Sequence, residues 1–174
     1  MIDKLKRIEE VQKLNPVHKI LLTTDGSITR ILEALVGEKV EVETEFQEVI
    51  KSDRGIAELL NIAEGEEVNY RVVNLKSSKR VLVHAISYTP IKGLREEFRE
   101  DIMKGDTPIG IIMSKLKIEA RREIRDFSLI EADEKLANLF GVRVGASLLK
   151  RNYDIIHDNR IMMNITEIFP YELV

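Results

Sequence analysis

Cysteine and tryptophan are both absent from this chain of 174 residues. Without cysteine the protein has no disulfide, no thiolate-ligated metal and no cysteine nucleophile. No apolar run approaches the roughly 18 residues of a membrane-spanning helix, and the charged, amphipathic first ten residues do not form a signal peptide. We therefore expect a cytoplasmic protein that does not bind a membrane.

An excess of one charge sign is also lacking, because 27 basic residues face 30 acidic ones and the formal net charge is -3. The basic cluster of Arg121, Arg122 and Arg125 is interleaved with acidic residues, which weakens the field that would attract a nucleic-acid backbone. We expect no nucleic-acid partner. The three histidines lie far apart without the spacing of metal ligands, so no metal site is predicted either.

The chain contains an internal repeat, whose two copies are 80 residues apart. Each copy has apolar positions, a glycine, an arginine, a polar turn, a second arginine and a closing proline. The first copy is Leu59, Ile62, Gly65, Arg71, Arg80 and Pro90, and the second is Leu139, Val142, Gly145, Arg151, Arg160 and Pro170. Such a pattern is typical of a helix end that leads into a β-hairpin.

The segments around the repeated unit follow the same order in both halves. Alternating residues predict strands at 39–50 and 117–129, each followed by a short helix and a hairpin. We predict one α+β domain over residues 1–174, with a mainly antiparallel sheet, helices to one side and a pseudo-twofold relating halves of about 1–90 and 91–174. Each half has too few strands to bury its own faces. Exposed strand edges permit a homodimer without requiring one.

Charged residues fall on the inner face of the predicted sheet, because side chains alternate along a strand. Arg71 shares a face with Val73, and both Arg151 and Glu167 share faces with apolar residues of the last hairpin. A buried charge without a partner costs several kcal/mol. These groups therefore form an internal Arg–Glu pair, or they line a pocket in which arginine binds a carboxylate. The pattern alone gives similar weight to an internal pair and to a ligand pocket.

Four further motifs follow one another along the chain. They are Leu21-Leu22 followed by Asp25, Ser27 and Thr29; Arg71 nineteen residues before Pro90; Thr107-Pro108-Ile109-Gly110; and Thr166-Glu167-Ile168-Phe169 before Pro170. In this order and spacing, from about Ile20 to Pro170, the chain resembles the chorismate pyruvate-lyases, including archaeal relatives that make 4-hydroxybenzoate.

The resemblance implies an enzyme that eliminates pyruvate from chorismate and leaves 4-hydroxybenzoate, without a metal or an organic cofactor. It also implies a small aromatic or cyclohexadienyl carboxylate as the partner. Matched by position, Arg71 binds the ring carboxylate and Glu167 contacts the far side of the ring, where it hydrogen-bonds the ring hydroxyl or acts as a base. These two are the expected catalytic residues.

Other substrate contacts are implied near two helix starts and on one strand. Ile28 and Ile109 fall in the backbone segments that close the pocket in the family. A further arginine of the family falls on Arg121 by ungapped spacing from Ile109, or on Arg122 by alternation along the strand. Both arginines stay candidates on the sequence alone.

The repeated hairpin unit is also similar to the effector-binding UTRA domains of bacterial transcription regulators, which share the lyase-like fold. This implies an alternative function, a module that binds an aromatic acid without catalysis. Those regulators carry a winged-helix DNA-binding domain in front, whereas residues 1–14 predict one helix, which is too short for such a domain.

Overall fold

The structure is a computed structural model that describes residues 1–105 and 107–173. Its helices are α1 (Ile2–Glu9), α2 (Pro16–Thr23), α3 (Ile28–Val36), α4 (Arg54–Leu60), α5 (Glu96–Lys104), α6 (Ile109–Lys115) and α7 (Glu134–Phe140). Its strands are β1 (Glu41–Lys51), β2 (Glu67–Lys76), β3 (Val81–Pro90), β4 (Arg121–Glu131), β5 (Ser147–His157) and β6 (Arg160–Pro170).

All six of these strands form one sheet, in the order β1-β2-β3-β6-β5-β4, and every neighbouring pair is antiparallel. The two halves of the chain join at the centre of the sheet, where β3 pairs with β6. The edges are β1 and β4. The predicted α+β fold with a mainly antiparallel sheet is confirmed.

The two halves share their irregularities as well as their order of elements. Strand register shifts between Thr44 and Phe46, between Leu75 and Lys76, between Ile124 and Asp126, and between Ile155 and Ile156. The last two shifts lie 80 residues after the first two. Because a bulge changes which residues face each other, its repetition gives both hairpins the same geometry. This is the pseudo-twofold that the repeat predicts.

Capping residues fix where α2 and α3 begin and end. The Asn15 side chain accepts a hydrogen bond from the His18 N–H at 2.9 Å, and the Ser27 hydroxyl accepts one from Arg30 at 3.5 Å. At the other end of α3, Gly37 has a φ of +71°. Glycine adopts this left-handed conformation without steric cost, so α3 ends there. The helix start at Ile28 is thereby placed over the sheet.

Most helices cover the face of the sheet that carries Arg71 and Glu167. Leucines of α2 and α3 are fully buried against this face, and Phe98 and Ile102 of α5 pack there as well. The short helix α7 instead packs on the reverse face, against Leu148. No helix in the described ranges is both long and apolar enough to cross a membrane.

Candidate functional site

A partly enclosed cavity lies between the sheet and the starts of α3 and α6. Its roof consists of Gly26–Thr29 and Pro108–Gly110, and its floor consists of side chains from the strands. Its volume is about 80 Å³. Since one water molecule needs roughly 10 to 15 Å³ of such space, the cavity has room for several water molecules.

The structure brings five of the predicted site residues together around this cavity. They are Arg71, Glu167, Ile28, Ile109 and Arg122. Ile28 and Ile109 are the first residues of α3 and α6, so the two helix starts that the resemblance pointed to are the two that roof the cavity.

Arg121 lies outside the cavity, which corrects its place among the predicted substrate contacts. Its side chain is exposed, and its Nε lies 2.7 Å from a carboxylate oxygen of Glu123. Adjacent residues of a strand point to opposite faces, so Arg122 and Arg121 cannot both line the site. Strand alternation points to Arg122, the arginine that lines the cavity, whereas ungapped spacing from Ile109 points to Arg121.

The Arg71 guanidinium is buried and is held at the cavity by backbone carbonyl oxygens and one side-chain hydroxyl. Its Nη2 donates to the Gly105 carbonyl oxygen at 2.7 Å and to the Thr44 hydroxyl at 3.4 Å. Both terminal nitrogens also lie 3.5 Å from the Thr107 carbonyl oxygen. These acceptors belong to β1 and to the connection between α5 and α6. Arg71 therefore links the sheet to the segment that leads into α6.

The Glu167 carboxylate is held through both of its oxygens. Its Oε2 accepts a hydrogen bond from Arg151 Nε at 2.6 Å, and its Oε1 accepts one from the Tyr153 hydroxyl at 3.1 Å. Burial, followed by the nearby Glu167 charge, raises the pKa of Tyr153, so the phenol stays protonated and keeps donating. The internal Arg–Glu pair that the sequence suggested thus exists, and its arginine is Arg151. The structure contains the cavity as well, so the pair and the pocket are not alternatives.

The charged groups among the described lining residues are Arg71, Arg122 and Glu167. Arg122 Nη1 donates to the Asp25 carbonyl oxygen at 3.2 Å, which ties β4 to the connection before α3. A guanidinium donates two parallel, charge-assisted hydrogen bonds to a carboxylate. The site therefore suits a small ligand with more than one carboxylate. In the described parts of the chain, no three His, Asp or Glu side chains come together as candidate metal ligands.

Apart from Arg71, the strand residues that line the cavity form five pairs that the pseudo-twofold relates. These pairs are Val42 with Arg122, Val73 with Tyr153, Leu75 with Ile155, Ala85 with Ile165, and Ser87 with Glu167. In four of the five pairs, the second half contributes the larger side chain. The cavity straddles the axis, yet its two sides differ in size and polarity, so the site can distinguish the two ends of a ligand.

Among the polar strand residues of the lining, Tyr153 and Ser87 are absent from the predicted site. Tyr153 lies two residues after Arg151 on β5 and so shares its face of the sheet. The alternation that predicts an inward-facing Arg151 therefore predicts an inward-facing Tyr153 as well. Ser87 lies directly opposite Arg71 on β3. Its sequence neighbours give no signal of that position, since the pairing depends on the register of the hairpin.

Solved structures that share this fold include ligand-binding and effector domains of transcription regulators. The effector domain of PhnF from Mycobacterium smegmatis matches with a TM-score of 0.69 at 16% identity, over 86% of this chain and 91% of that one. The ligand-binding domain of a proposed GntR-family regulator from Bordetella bronchiseptica matches with a TM-score of 0.64 at 19% identity, over 77% and 84% of the two chains. These likenesses define the class of fold.

Sequence comparisons then define the family. The family model described as "Chorismate pyruvate-lyase Rv2949c-like" matches residues 22–174. MJ0807 of Methanocaldococcus jannaschii, a proposed lyase, is 39% identical over 172 residues, which cover 94% of this chain and 85% of that protein. Chorismate pyruvate-lyase of Mycobacterium leprae is 32% identical over 117 residues, or 66% of this chain and 55% of that protein. The chain belongs to the chorismate pyruvate-lyase family, which confirms the resemblance.

Proposed function

We propose that this protein eliminates pyruvate from chorismate and releases 4-hydroxybenzoate. One observation carries the proposal: a small cavity brings Arg71, Arg122 and Glu167 together beneath two helix starts, in a chain of the chorismate pyruvate-lyase family. The first two residues match the carboxylates of chorismate, and the third matches the opposite side of its ring.

The reaction breaks two bonds and needs no other reactant. The ring carbon–oxygen bond to the enolpyruvyl group breaks, and the neighbouring carbon, which bears the hydroxyl, loses its hydrogen as a proton. The electron pair of that carbon–hydrogen bond completes the aromatic ring. The proton ends on the methylene carbon of the departing enol, which becomes pyruvate. Aromatisation supplies the driving force, so the protein has to bind, orient and shield the substrate.

Orientation follows from the two guanidinium groups. In the proposal, Arg71 binds the ring carboxylate and Arg122 binds the carboxylate of the enolpyruvyl group. Charge-assisted hydrogen bonds of this kind contribute roughly 1.5 to 3 kcal/mol each. Holding both ends of the dianion orients the carbon–oxygen bond that breaks.

Glu167 then faces the hydroxyl-bearing side of the ring. Each carboxylate oxygen has a second lone pair beyond the bonds from Arg151 and Tyr153, so the group can still accept a hydrogen bond from the ring hydroxyl. The same position lets Glu167 take up the ring proton as a base, a role typically worth about 10²- to 10⁴-fold in rate. An amide in its place would accept the hydrogen bond without accepting the proton.

A second candidate function is binding of an aromatic acid without catalysis. It is favoured by the match in fold to the effector domain of PhnF. Incubation of the purified protein with chorismate distinguishes the two, with pyruvate and 4-hydroxybenzoate both followed over time. Equal and enzyme-dependent release of the two products supports the lyase. Calorimetric binding of 4-hydroxybenzoate without any product from chorismate supports the binding module.

A further inference from the structure

We propose that Arg151 is a positioning residue for the reaction: it fixes the Glu167 carboxylate and ties it to the backbone that leads into α3. The inference rests on the proposed function, because Arg151 acts through a group to which that function gives a role. Arg151 itself is not among the residues that line the cavity, so its effect does not come from contact with the ligand.

The contacts of Arg151 connect two parts of the site. Its Nε donates to Glu167 Oε2 at 2.6 Å. Its Nη1 donates to the carbonyl oxygens of Leu21 and Thr24, both at 2.9 Å. A guanidinium is planar and rigid, so two carbonyls that hold Nη1 also fix the direction of the Nε–H bond. The carboxylate of Glu167 is thereby oriented by the end of α2.

Two aromatic rings also pack around Arg151. Its Cζ lies 4.8 Å from the centre of the Tyr153 ring and 5.9 Å from that of Phe169. Tyr153 also donates to the other oxygen of Glu167. Arg151 is fully buried, and so its position is set by packing as well as by hydrogen bonds. Glu167 consequently has little freedom to rotate away from the ligand.

The repeat explains why this arginine has a different task from its counterpart. Arg151 and Arg71 occupy the same position of the repeated hairpin, but Arg151 faces Glu167 across the strands, whereas Arg71 faces Ser87. The carbonyl of Thr24 lies just before the roof segment Gly26–Thr29. Arg151 therefore sets the position of the carboxylate and of one roof segment together.

The test compares steady-state kinetics of the R151K variant with the wild-type protein and with R121K as a matched exposed control. A lysine keeps the charge but has no planar fork, so it cannot hold Glu167 and both carbonyls at once. We expect kcat for chorismate to fall about 10²-fold, as misplacement of a catalytic group by about 1 Å does, with KM changed less than about threefold because Arg71 and Arg122 are intact. R121K should behave as wild type.

A second comparison separates positioning through Glu167 from a general structural role. In E167Q, the further change R151Q should leave the residual rate in single-turnover measurements unchanged within about twofold, because residues that act as a unit are not additive. The double variant R151Q/E167Q keeps two hydrogen-bonding amides without an unpaired charge, so it also preserves a folded state in which the comparison can be made. Circular dichroism and thermal unfolding establish that each variant is folded.

The outcomes are distinct. A wild-type kcat in folded R151K, or an equal loss on removing Arg151 with and without Glu167, overturns the positioning role while the lyase activity stands. Absence of any turnover by the wild-type protein overturns the proposed function, and the positioning role with it. The result that the structure leads us to expect is a fall in kcat at nearly constant KM in R151K, together with no further loss of rate when R151Q is added to E167Q.

Discussion

Arg71 and Arg151 show how one residue of a repeat takes on two tasks through its immediate neighbours. The guanidinium of Arg151 is enclosed by Glu167, two carbonyl oxygens and two aromatic rings. That of Arg71 lines the cavity. The same side chain in the same strand position is therefore structural support in one half and a candidate ligand contact in the other.

Replacing Glu167 with glutamine tests its role in proton transfer. We expect turnover of chorismate to be nearly abolished, because the amide cannot take up a proton, while 4-hydroxybenzoate binding stays measurable because the amide oxygen still accepts a hydrogen bond. Product formation and calorimetric binding on the same preparation check both expectations. Turnover equal to that of the wild type would remove Glu167 from the chemistry.

The adjacent residues Arg122 and Arg121 form a natural test and control, since one lines the cavity and the other is exposed beside Glu123. R122M should raise KM for chorismate about tenfold or more, the effect of losing a charge-assisted hydrogen bond. It should change 4-hydroxybenzoate affinity little, because the product lacks the enolpyruvyl carboxylate. R121M should leave both quantities within about twofold of wild type. Equal effects of the two changes would contradict the placement of Arg122.

Removing the Arg71 charge should have the broader effect on ligands. We expect R71M to weaken binding of 4-hydroxybenzoate as well as chorismate, because both carry the ring carboxylate, by about tenfold or more. Titration calorimetry with benzoate-type ligands measures this directly. An unchanged affinity for 4-hydroxybenzoate would show that the ring carboxylate is bound elsewhere.

His18 makes the stability of the fold depend on pH. Its Nε2 donates to the Tyr171 carbonyl oxygen at 2.8 Å, while its Nδ1 accepts from the Asn15 N–H, so the ring is held neutral. Burial lowers the pKa of His18, and burial likewise lowers the pKa of His84. Below the ordinary histidine value near 6.5, the unfolded chain therefore takes up protons before the folded one does, and the free energy of unfolding decreases.

Urea unfolding at pH 7.5 and pH 5.5 measures this loss of stability. In that range the carboxyl groups stay ionised in the unfolded chain, so histidine protonation dominates. The H18Q variant should show a smaller difference between the two pH values, because glutamine can still donate to the Tyr171 carbonyl and does not titrate. A wild-type protein that is equally stable or more stable at pH 5.5 would rule out the neutral, buried histidines as the cause.

The sequence predicts the main charged residues of the site but not how they pair. Alternation along strands selects Arg71, Arg151 and Glu167 as inward-facing, and all three are buried. It does not say which arginine meets the glutamate. The bulge between Ile155 and Ile156 shifts the hairpin by one residue and brings Glu167 opposite Arg151. A single inserted residue of this kind leaves no mark in the hydrophobic pattern.

At the scale of the element, the hairpin register decides what each arginine faces. Ser87 lies opposite Arg71 as Glu167 lies opposite Arg151. The change S87E should therefore place a carboxylate within reach of Arg71, since facing residues have Cβ atoms roughly 4.5 to 5.5 Å apart. We expect 4-hydroxybenzoate affinity to fall about tenfold or more, because the new carboxylate competes with the ligand.

The variant S87Q is the matched control for this hairpin experiment, because it adds the same bulk without the charge. Calorimetry should show that S87Q retains much more affinity than S87E. An equal loss in the two variants would mean that the added side chain fills the cavity and that charge at this position is irrelevant.

Elements with strong local signals are the ones that the sequence predicts well. The caps at Asn15 and Ser27 and the end of α3 at Gly37 follow from side-chain chemistry within a few residues. The position of α7 does not follow from such local chemistry. Its packing on the reverse face against Leu148 depends on both faces of β5 being buried, and alternation assigns only one face of a strand to the core.

At the scale of the whole molecule, the cavity belongs to both halves of the repeat. Arg71 and Ser87 come from the first half, and Arg122, Tyr153 and Glu167 come from the second. The exposed edges β1 and β4 lie at the far sides of the sheet, away from the β3–β6 junction where the two halves meet. A change that loosens this junction should therefore affect the site even without altering a lining residue.

The central β3–β6 pair also determines the order in which parts of the protein fold. Within a hairpin, facing residues such as Arg71 and Ser87 are close in sequence. His84 and Ile168, which face each other on β3 and β6, are separated in the sequence by most of the second half of the chain. Closing so long a loop is slow compared with forming a hairpin. In a refolding time course, backbone circular dichroism should therefore recover first, and the ability to capture 4-hydroxybenzoate should appear only with the slowest phase.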